Sequence, residues 1–279
     1  MRDTVPQTVR YYDADNRRLV CIQEGCDAAF WSAHWRESLQ NAGPIFRQPP
    51  AYHTFLYVTK RHLPPGSRVL DGGCGLALTV HALDRAGFRA YGVDFSLDTI
   101  QTVHAHWPHL HLSCQDIRQL AFADHFLDGY WSLGVIEHFY PGYDAVLQEM
   151  WRTIRPGGSL FLTFPALNVL RRYKAQRGDY PPYQEDDAKR AAFYQFMLSP
   201  EEVQRRVEMA GFRLVRRGGQ SVVRTFKEEW PRCERWLDAL LALPWGGGRL
   251  MVLLLDVLLG RWLGHMSVMV FERLGEGDG

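Results

Sequence analysis

Three glycines and a carboxylate stand together at residues 69–80, where the sequence reads VLDGGCGLALTV. An apolar run ends at Asp71, and Gly72, Gly73 and Gly75 follow it. Only glycine lets a backbone approach a nucleotide-like ligand closely, and α/β proteins place such turns between a buried strand and a helix. The turn therefore predicts a binding site for a ligand of this kind.

The residues around this turn narrow the choice of ligand. A nucleoside triphosphate loop needs Lys followed by Ser or Thr after its glycines, and neither stands there. The dinucleotide fingerprint finds its first two glycines at Gly73 and Gly75, but its third falls on Leu78. Asp71 suits a cation and repels a pyrophosphate. An adenosine-bearing cation is therefore expected, and S-adenosylmethionine, with its sulfonium and ammonium groups, fits that description.

Two further carboxylates follow apolar runs later in the sequence. Asp94 ends the second expected strand, where it can accept both ribose hydroxyls, although NAD sites also carry an acidic residue at this spacing. Asp116 ends the third expected strand, where its side chain can accept a hydrogen bond from the adenine amino group. The backbone of Ile117 would then contact the edge of the adenine ring. Each aspartate alone is also typical of a helix N-cap or a turn. Their occurrence at successive strand ends favours a cofactor site.

These residues require strands that alternate with helices. Apolar runs predict strands at 68–73, 88–96, 110–116, 127–135, 159–165, 212–219 and 265–274, and periodic stretches predict helices at 76–87, 97–107, 143–158 and 199–212. Continuous apolar runs are typical of a sheet covered on both faces. The alternation predicts βαβ units and an α/β fold with a doubly wound, mostly parallel sheet.

Three stretches fall outside this alternation and organise the rest of the chain. Residues 1–65 are expected to form a helical cover, in which Phe30, Trp31, His34 and Trp35 share one helix face. Residues 66–279 form the core. Insertions at 165–198 and 220–264 are expected to act as a substrate lid, because ligands of such sheets lie beyond the carboxyl ends of the strands.

The two insertions differ in character. The first carries Arg171, Arg172, Lys174 and Arg177, which either hold an anionic or sugar-like acceptor or form a solvated face. The second is rich in Leu, but its apolar stretches are too short to span a membrane. We expect it to pack on the core or on a second subunit, with peripheral membrane contact as the alternative.

Composition excludes several classes of function. The chain has 279 residues, 46% of them hydrophobic, which is enough for one large domain with insertions. A net charge of +1 gives no overall field for nucleic acid. The first residues are too polar for a signal peptide, and five cysteines without a CxxC pair predict a reduced, cytoplasmic protein with no metal site. A monomer or a homodimer is expected.

The motifs VLDGGCG, YGVDFS, CQDI, GYWSLGVIEHF and WRTIRPGGSLFLTFP, in that order, resemble the class I S-adenosylmethionine-dependent methyltransferases, type 11 group. This resemblance covers about residues 66–165 and continues in LSPEEVQRRVEMAGFRLV. It implies a seven-stranded Rossmann-like sheet whose last strand is antiparallel. Gly72 departs from the larger or Ala-like residue that many relatives carry.

The resemblance also implies roles for individual residues. Residues of the glycine turn would surround the methionine part of the cofactor, Asp94 and Phe95 the ribose, and Asp116 and Ile117 the adenine. Leu133 would offer its backbone to the amino group. The set is Asp71, Gly72, Gly73, Gly75, Asp94, Phe95, Asp116, Ile117 and Leu133.

The catalytic group is expected just beyond the fourth core strand. Methyl transfer from a sulfonium requires alignment of the acceptor and removal of its proton. His138, whose unperturbed pKa is about 6.5, is the first candidate base and Glu137 the second, and a role for His138 in shaping the pocket is the alternative.

The expected reaction is O-methylation of a small molecule, such as a sugar, a glycan precursor or a secondary metabolite. FWSAHW and FYQFMLSPEEV are similar to members of the type 11 group found in bacterial glycan and secondary-product gene sets. A quinone or lipid methyltransferase and a non-catalytic S-adenosylmethionine-binding module are the alternatives.

Overall fold

The computed structural model describes residues 8–23, 43–47, 53–242 and 247–275. The strands in these ranges are β1 (Val9–Asp13), β2 (Arg18–Ile22), β3 (Arg68–Gly72), β4 (Arg89–Asp94), β5 (His111–Cys114), β6 (Leu127–Leu133), β7 (Ile154–Pro165), β8 (Phe193–Met197), β9 (Phe212–Gln220) and β10 (Met266–Arg273).

The α-helices in these ranges are α1 (Gly43–Arg47), α2 (His53–His62), α3 (Leu78–Arg85), α4 (Leu97–His106), α5 (Asp144–Thr153), α6 (Val169–Gln176), α7 (Asp187–Ala191), α8 (Pro200–Met209), α9 (Val222–Glu229), α10 (Glu234–Leu241) and α11 (Gly247–Leu263). Short 3-10 helices occupy Ile136–His138 and Pro231–Cys233.

The central sheet has seven strands in the order β5-β4-β3-β6-β7-β10-β9. Strands β3 to β7 pair in parallel, and β10 runs antiparallel to both β7 and β9. The order reverses at β3, so the chain winds outward in two directions from the glycine turn. The predicted α/β fold, a doubly wound and mostly parallel seven-stranded sheet, is confirmed.

Both faces of the sheet are buried, as its apolar strands require. Leu160 and Leu162 of β7 belong to one core cluster, and Phe161 belongs to the cluster on the opposite face. Trp131 of β6 stacks on Phe161 at 4.5 Å between ring centroids. Helices therefore cover the sheet on both sides, because successive side chains of a strand point to opposite faces.

Local sequence signals set the helix ends. The Ser96 hydroxyl caps α4 at the amide of Thr99, and the Ser199 hydroxyl caps α8, which begins with Pro200. The helix predicted over 143–158 ends at Thr153, and residues 154–158 already belong to β7. Pro156 explains this difference, because it cannot donate the hydrogen bond that a continuing helix needs.

The N-terminal segment differs from the helical cover predicted over residues 1–65. Residues 9–22 form a β-hairpin, and β2 pairs with β8 from the first insertion, which gives a three-stranded antiparallel sheet. Leu19, Val20 and Cys21 are all buried, so this strand has apolar contacts on both faces and shows no helical period. Phe30, Trp31, His34 and Trp35 lie outside the described residues.

The second insertion lies between β9 and β10 and is helical, as predicted. Gly260 of α11 meets the backbone of Gly219 on β9, a contact that leaves no room for a side chain at either position. Within the described ranges, no helix is both long and apolar enough to cross a bilayer.

A buried group of charges, the ion cluster, joins the hairpin and both insertions to the core: Arg10, Arg171, Lys174, Glu228, Glu229 and His265. Arg171 is 0% exposed and donates through Nε to Glu229 Oε1 (3.0 Å) and through Nη2 to Glu228 Oε2 (2.9 Å). Burial alone raises the pKa of Glu229, but the Tyr180 hydroxyl and the neighbouring cations outweigh it and lower the pKa to about 2. Arg171 therefore stabilises the fold and faces neither solvent nor an acceptor.

Replacing Arg171 with Met should lower the free energy of unfolding by about 3 kcal/mol, because the buried carboxylates lose a charged partner. The matched control is Arg172→Met. Arg172 is next in sequence, but its side chain is 39% exposed and pairs with the exposed Glu201. We expect the control substitution to lower the free energy of unfolding, measured by urea denaturation, by less than about 1 kcal/mol. Equal losses for the two variants would contradict this role of Arg171.

Candidate active site

A cavity of about 380 Å³ opens at the carboxyl edge of the central sheet, beyond β3, β4, β5 and β6. Its lining comes from the segments that follow these four strands. The lining residues are Gly73, Asp94, Phe95, Gln115, Asp116, Ile117, Arg118, Gly134, Val135, His138 and Phe139. Ligands of doubly wound sheets bind at this edge, beside the point where the strand order reverses.

The glycine turn forms the floor of the cavity next to β3. The amides of Gly73 and Cys74 both donate to the carbonyl of Val93 on β4, at 2.8 and 2.9 Å. Gly73 has φ +82°, and a Cβ there would stand 2.8 Å from a methyl carbon of Val135. Both the positive φ and the close approach require glycine at this position.

Asp71 lies behind the turn as a buried carboxylate, 2% exposed. Its Oδ1 has no hydrogen-bond donor among the described residues. Burial, followed by the negative charge of Asp94, raises the pKa of Asp71 to about 7. A bound cation would restore the charged form of this carboxyl group, so the unsatisfied oxygen fits a ligand that carries an ammonium or sulfonium group.

Asp94 ends β4 and is held by two backbone amides. Gly75 N donates to Oδ2 at 2.9 Å and Ser96 N donates to Oδ1 at 3.0 Å. These hydrogen bonds lower the pKa of the Asp94 carboxyl group, but burial outweighs them and raises it. A carboxylate has about four acceptor sites, so each fixed oxygen retains one for a hydroxyl of a ligand in the cavity.

Asp116 lies two residues beyond β5 and faces solvent. Arg118 donates to both of its oxygens, and the shortest contact is from Nη2 to Oδ2 at 2.6 Å. The hydrogen bonds from Arg118 lower the pKa of Asp116, so the carboxyl group is ionised at neutral pH. Ile117 between them is buried. An amino group of a ligand would share this carboxylate with Arg118.

His138 lines the cavity at the end of a 3-10 helix. Its Nδ1 lies 2.8 Å from the carbonyl oxygen of Tyr194 on β8. A carbonyl only accepts, so Nδ1 carries the proton and Nε2 carries the lone pair in the neutral ring. Burial lowers the pKa of His138 below its ordinary value of 6.5. The first insertion therefore fixes the tautomer of this histidine.

Glu137 differs from its neighbour. It is 2% exposed, does not line the cavity, and has an Oε2 without a donor among the described residues. Burial raises its pKa to about 8, so the carboxyl group is protonated at neutral pH.

The structure brings most of the predicted site residues to one edge. Gly73, Asp94, Phe95, Asp116, Ile117 and His138 line the cavity, and Asp71, Gly72, Gly75, Leu133 and Glu137 lie outside its lining. The requirement for glycine at position 72 has a local cause, because the Tyr130 side chain fills the space that a side chain there would need.

Five lining residues were not predicted from the sequence: Gln115, Arg118, Gly134, Val135 and Phe139. Each is next to, or within two residues of, a predicted strand end or site residue. Extending every site prediction by two positions along the chain would have found them.

Comparisons with known proteins agree with this arrangement. Residues 70–162 match a family model described as a methyltransferase domain. The chain is 27% identical over 113 residues to a probable S-adenosylmethionine-dependent methyltransferase of Mycolicibacterium smegmatis, covering 40% of this chain and 44% of that protein. It is 32% identical over 123 residues to a ubiquinone biosynthesis O-methyltransferase of Coxiella burnetii, covering 43% and 50%.

The curated relatives are matched over half of their length or less. Among solved structures, a protein of Pyrococcus horikoshii has a TM-score of 0.53 at 17% identity, covering 80% of this chain and 89% of that one. At this identity the likeness shows the fold alone.

The sheet order, the strand-end carboxylates and the matched segment together define a class I S-adenosylmethionine-dependent methyltransferase domain. Residues 70–162 match the family model of the type 11 group, which is the group that the motifs resemble. S-adenosylmethionine is the methyl donor of this class, so the cofactor prediction is confirmed.

Asp94→Asn should weaken binding of S-adenosylhomocysteine by about 1.5 to 3 kcal/mol, because a charged acceptor of hydrogen bonds is lost. Titration calorimetry measures this change. Asp98→Asn is the control, since Asp98 is an exposed aspartate in the first turn of α4, four residues from Asp94. Equal affinities for the two variants, or tight NAD binding by the wild type, would contradict the assignment.

Proposed function

We propose that this protein transfers a methyl group from S-adenosylmethionine to an oxygen atom of a small-molecule acceptor, such as a sugar, a glycan precursor or a secondary metabolite. One observation carries the proposal. The cavity that holds Asp94 and Asp116 also holds a histidine in its neutral form, with the tautomer set by the Tyr194 carbonyl. A neutral imidazole beside a cofactor site suits an acceptor that must lose a proton.

The chain's own residues account for binding of the cofactor. Asp94 offers two fixed oxygens to the ribose, and Asp116 offers an acceptor to the adenine amino group. Asp71 lies behind the cavity lining, and its buried carboxyl group favours the positive groups of the cofactor through its charge. When bound, S-adenosylmethionine supplies an electrophilic methyl group on a positively charged sulfur. The protein aligns the acceptor with that group and excludes water from a partly buried cavity.

His138 is the base in this proposal. Its lowered pKa keeps Nε2 unprotonated at neutral pH, and the Nδ1 hydrogen bond restricts rotation of the ring. Glu137 serves less well as a base, because its raised pKa keeps it protonated at neutral pH. Burial thus moves the two neighbouring pKa values in opposite directions, which supports a base role for the histidine and a neutral role for the acid.

A quinone or lipid acceptor is the second candidate. The exposed apolar side chains of α11 favour it, since they offer a route to a lipid-soluble molecule. A non-catalytic protein that only binds S-adenosylmethionine is the third candidate. It differs from both enzymatic candidates because no acceptor would become methylated.

Incubation of a native extract with the protein and methyl-labelled cofactor, followed by mass spectrometry, tests the proposal. A labelled polar metabolite supports it, and a labelled quinone or lipid supports the second candidate. If no labelled product forms while the protein still binds S-adenosylhomocysteine, the enzymatic proposal is wrong.

His138→Ala should lower turnover of the labelled acceptor by about a hundredfold while cofactor affinity stays nearly constant. The wild-type rate should fall as the pH drops through the lowered pKa of His138, at a pH below 6.5, because protonation removes the base. A loss of less than about tenfold in the variant, with an unchanged acid limb, would exclude the base role.

Glu137→Gln provides the matched comparison at the next position. A protonated carboxyl group and an amide both donate a hydrogen bond, so this variant should keep turnover within about threefold at neutral pH. A hundredfold loss here, with little effect at His138, would reverse the two assignments.

A further inference from the structure

Helix α11 carries a row of exposed apolar side chains that we call the apolar face: Leu250, Leu253, Leu254, Val257, Leu258 and Trp262. Each of them is at least 49% exposed, and Val257 reaches 72%. They recur at spacings of one, three and four residues, so they share one side of the helix. Trp236 of α10, at 79% exposure, extends the exposed apolar surface of this insertion.

This helix is apolar on its exposed side as well as on the side that packs on the protein. Asp256 accepts hydrogen bonds from the amides of Ser221 (3.0 Å) and Val222 (2.9 Å) at the start of α9. Gly260 packs on the backbone of Gly219. The acidic residue of the helix is therefore used in a contact with the protein, while leucines are exposed to solvent. A surface helix normally turns its polar residues to water.

The surroundings of the apolar face indicate what covers it. Arg232, Arg235 and Arg261 are exposed cations on the same insertion. Among its acidic residues, Glu228 and Glu229 pair with Arg171 and Asp238 pairs with Lys227, while Glu234 is exposed. Leucines that share a helix side with an arginine and a tryptophan, on an insertion with further exposed arginines, match the interface of a bilayer that contains anionic lipids.

We propose that the apolar face of α11 inserts into the interfacial layer of an anionic lipid bilayer. The position of the helix agrees with a catalytic role at the membrane. The helix leads into β10, whose first residue Met266 pairs with Pro165 at the carboxyl end of β7. The C-terminal end of the helix therefore lies at the same edge of the sheet as the cavity, on the side of β10. The proposal does not depend on the identity of the acceptor.

A second copy of this chain is the other candidate occupant. The exposed Arg261 follows Val257 by four residues and Leu258 by three, so it lies on the same side of the helix as the apolar face. A two-fold interface through this face would bring two copies of Arg261 into one apolar contact. Anionic headgroups pair with this cation instead, so a bilayer fits the face better than a second copy does.

Flotation of the 279-residue protein with vesicles tests the proposal. We expect the protein to float with vesicles of phosphatidylcholine and phosphatidylglycerol, and less with phosphatidylcholine alone. The double variant Leu254→Glu, Val257→Glu should reduce the bound fraction by about tenfold or more, because it places two charges in the inserted surface. The control Met209→Glu changes an apolar residue of α8 that is 76% exposed, and should float like the wild type.

Calorimetric binding of S-adenosylhomocysteine by each variant verifies that the site is intact, so a failure at the membrane is distinct from a failure of the proposed enzyme activity. Quenching of tryptophan fluorescence by brominated phosphatidylcholine provides a second measurement, and Trp262→Phe should reduce it. Absence of flotation with both vesicle types would overturn the proposal. Equal flotation of the double variant and the control, or light scattering that shows a dimer dissociated by the double variant, would also overturn it.

Discussion

Arg171 has a full positive charge at a position with 0% exposure, and such a group is tolerated only where carboxylates and carbonyls surround it. Glu229, Glu228 and the Ala166 carbonyl meet this requirement. These partners come from α9 and from the residue after β7. Because Arg10 of the hairpin shares Glu229, one buried cation holds together segments that are far apart in sequence.

This constraint extends to the candidate active site. The hairpin that Arg10 fixes contributes β2, and β2 pairs with β8. The carbonyl of Tyr194 on β8 then sets the tautomer of His138. The glycine turn and the strand-end carboxylates belong to the core sheet, whereas the orientation of the histidine depends on an added sheet. In the proposed function, cofactor binding and proton removal therefore rest on separate parts of the fold.

Burial sets the protonation states at this edge of the sheet. Asp71, with a pKa raised to about 7, gains from a cation beside it, and Glu137, with a pKa of about 8, remains a neutral acid. His138 is moved in the opposite direction, because burial disfavours the charged form of each group. Asp116 faces solvent and stays ionised through Arg118. Burial therefore shifts the pKa values of three of these groups, and hydrogen bonds from Arg118 shift that of the fourth.

The local pattern of the sequence was sufficient for the core strands and helices, the glycine turn and the positions of Asp94 and Asp116, since strand period and positive φ act over a few residues. The seven-stranded sheet with an antiparallel strand was predicted only from the resemblance to a known family. The hairpin at 9–22, the ion cluster and the contact between Tyr194 and His138 could not be predicted in this way. Arg171 and Glu229 are 58 residues apart, and Tyr194 and His138 are 56 apart. The sequence of a basic run does not indicate whether its charges face water or buried carboxylates. The period of a leucine-rich helix likewise does not indicate which of its faces is exposed. The packing of distant segments decides which side chains are buried and which partners they contact, and it decided the role of Arg171, the tautomer of His138 and the exposure of α11.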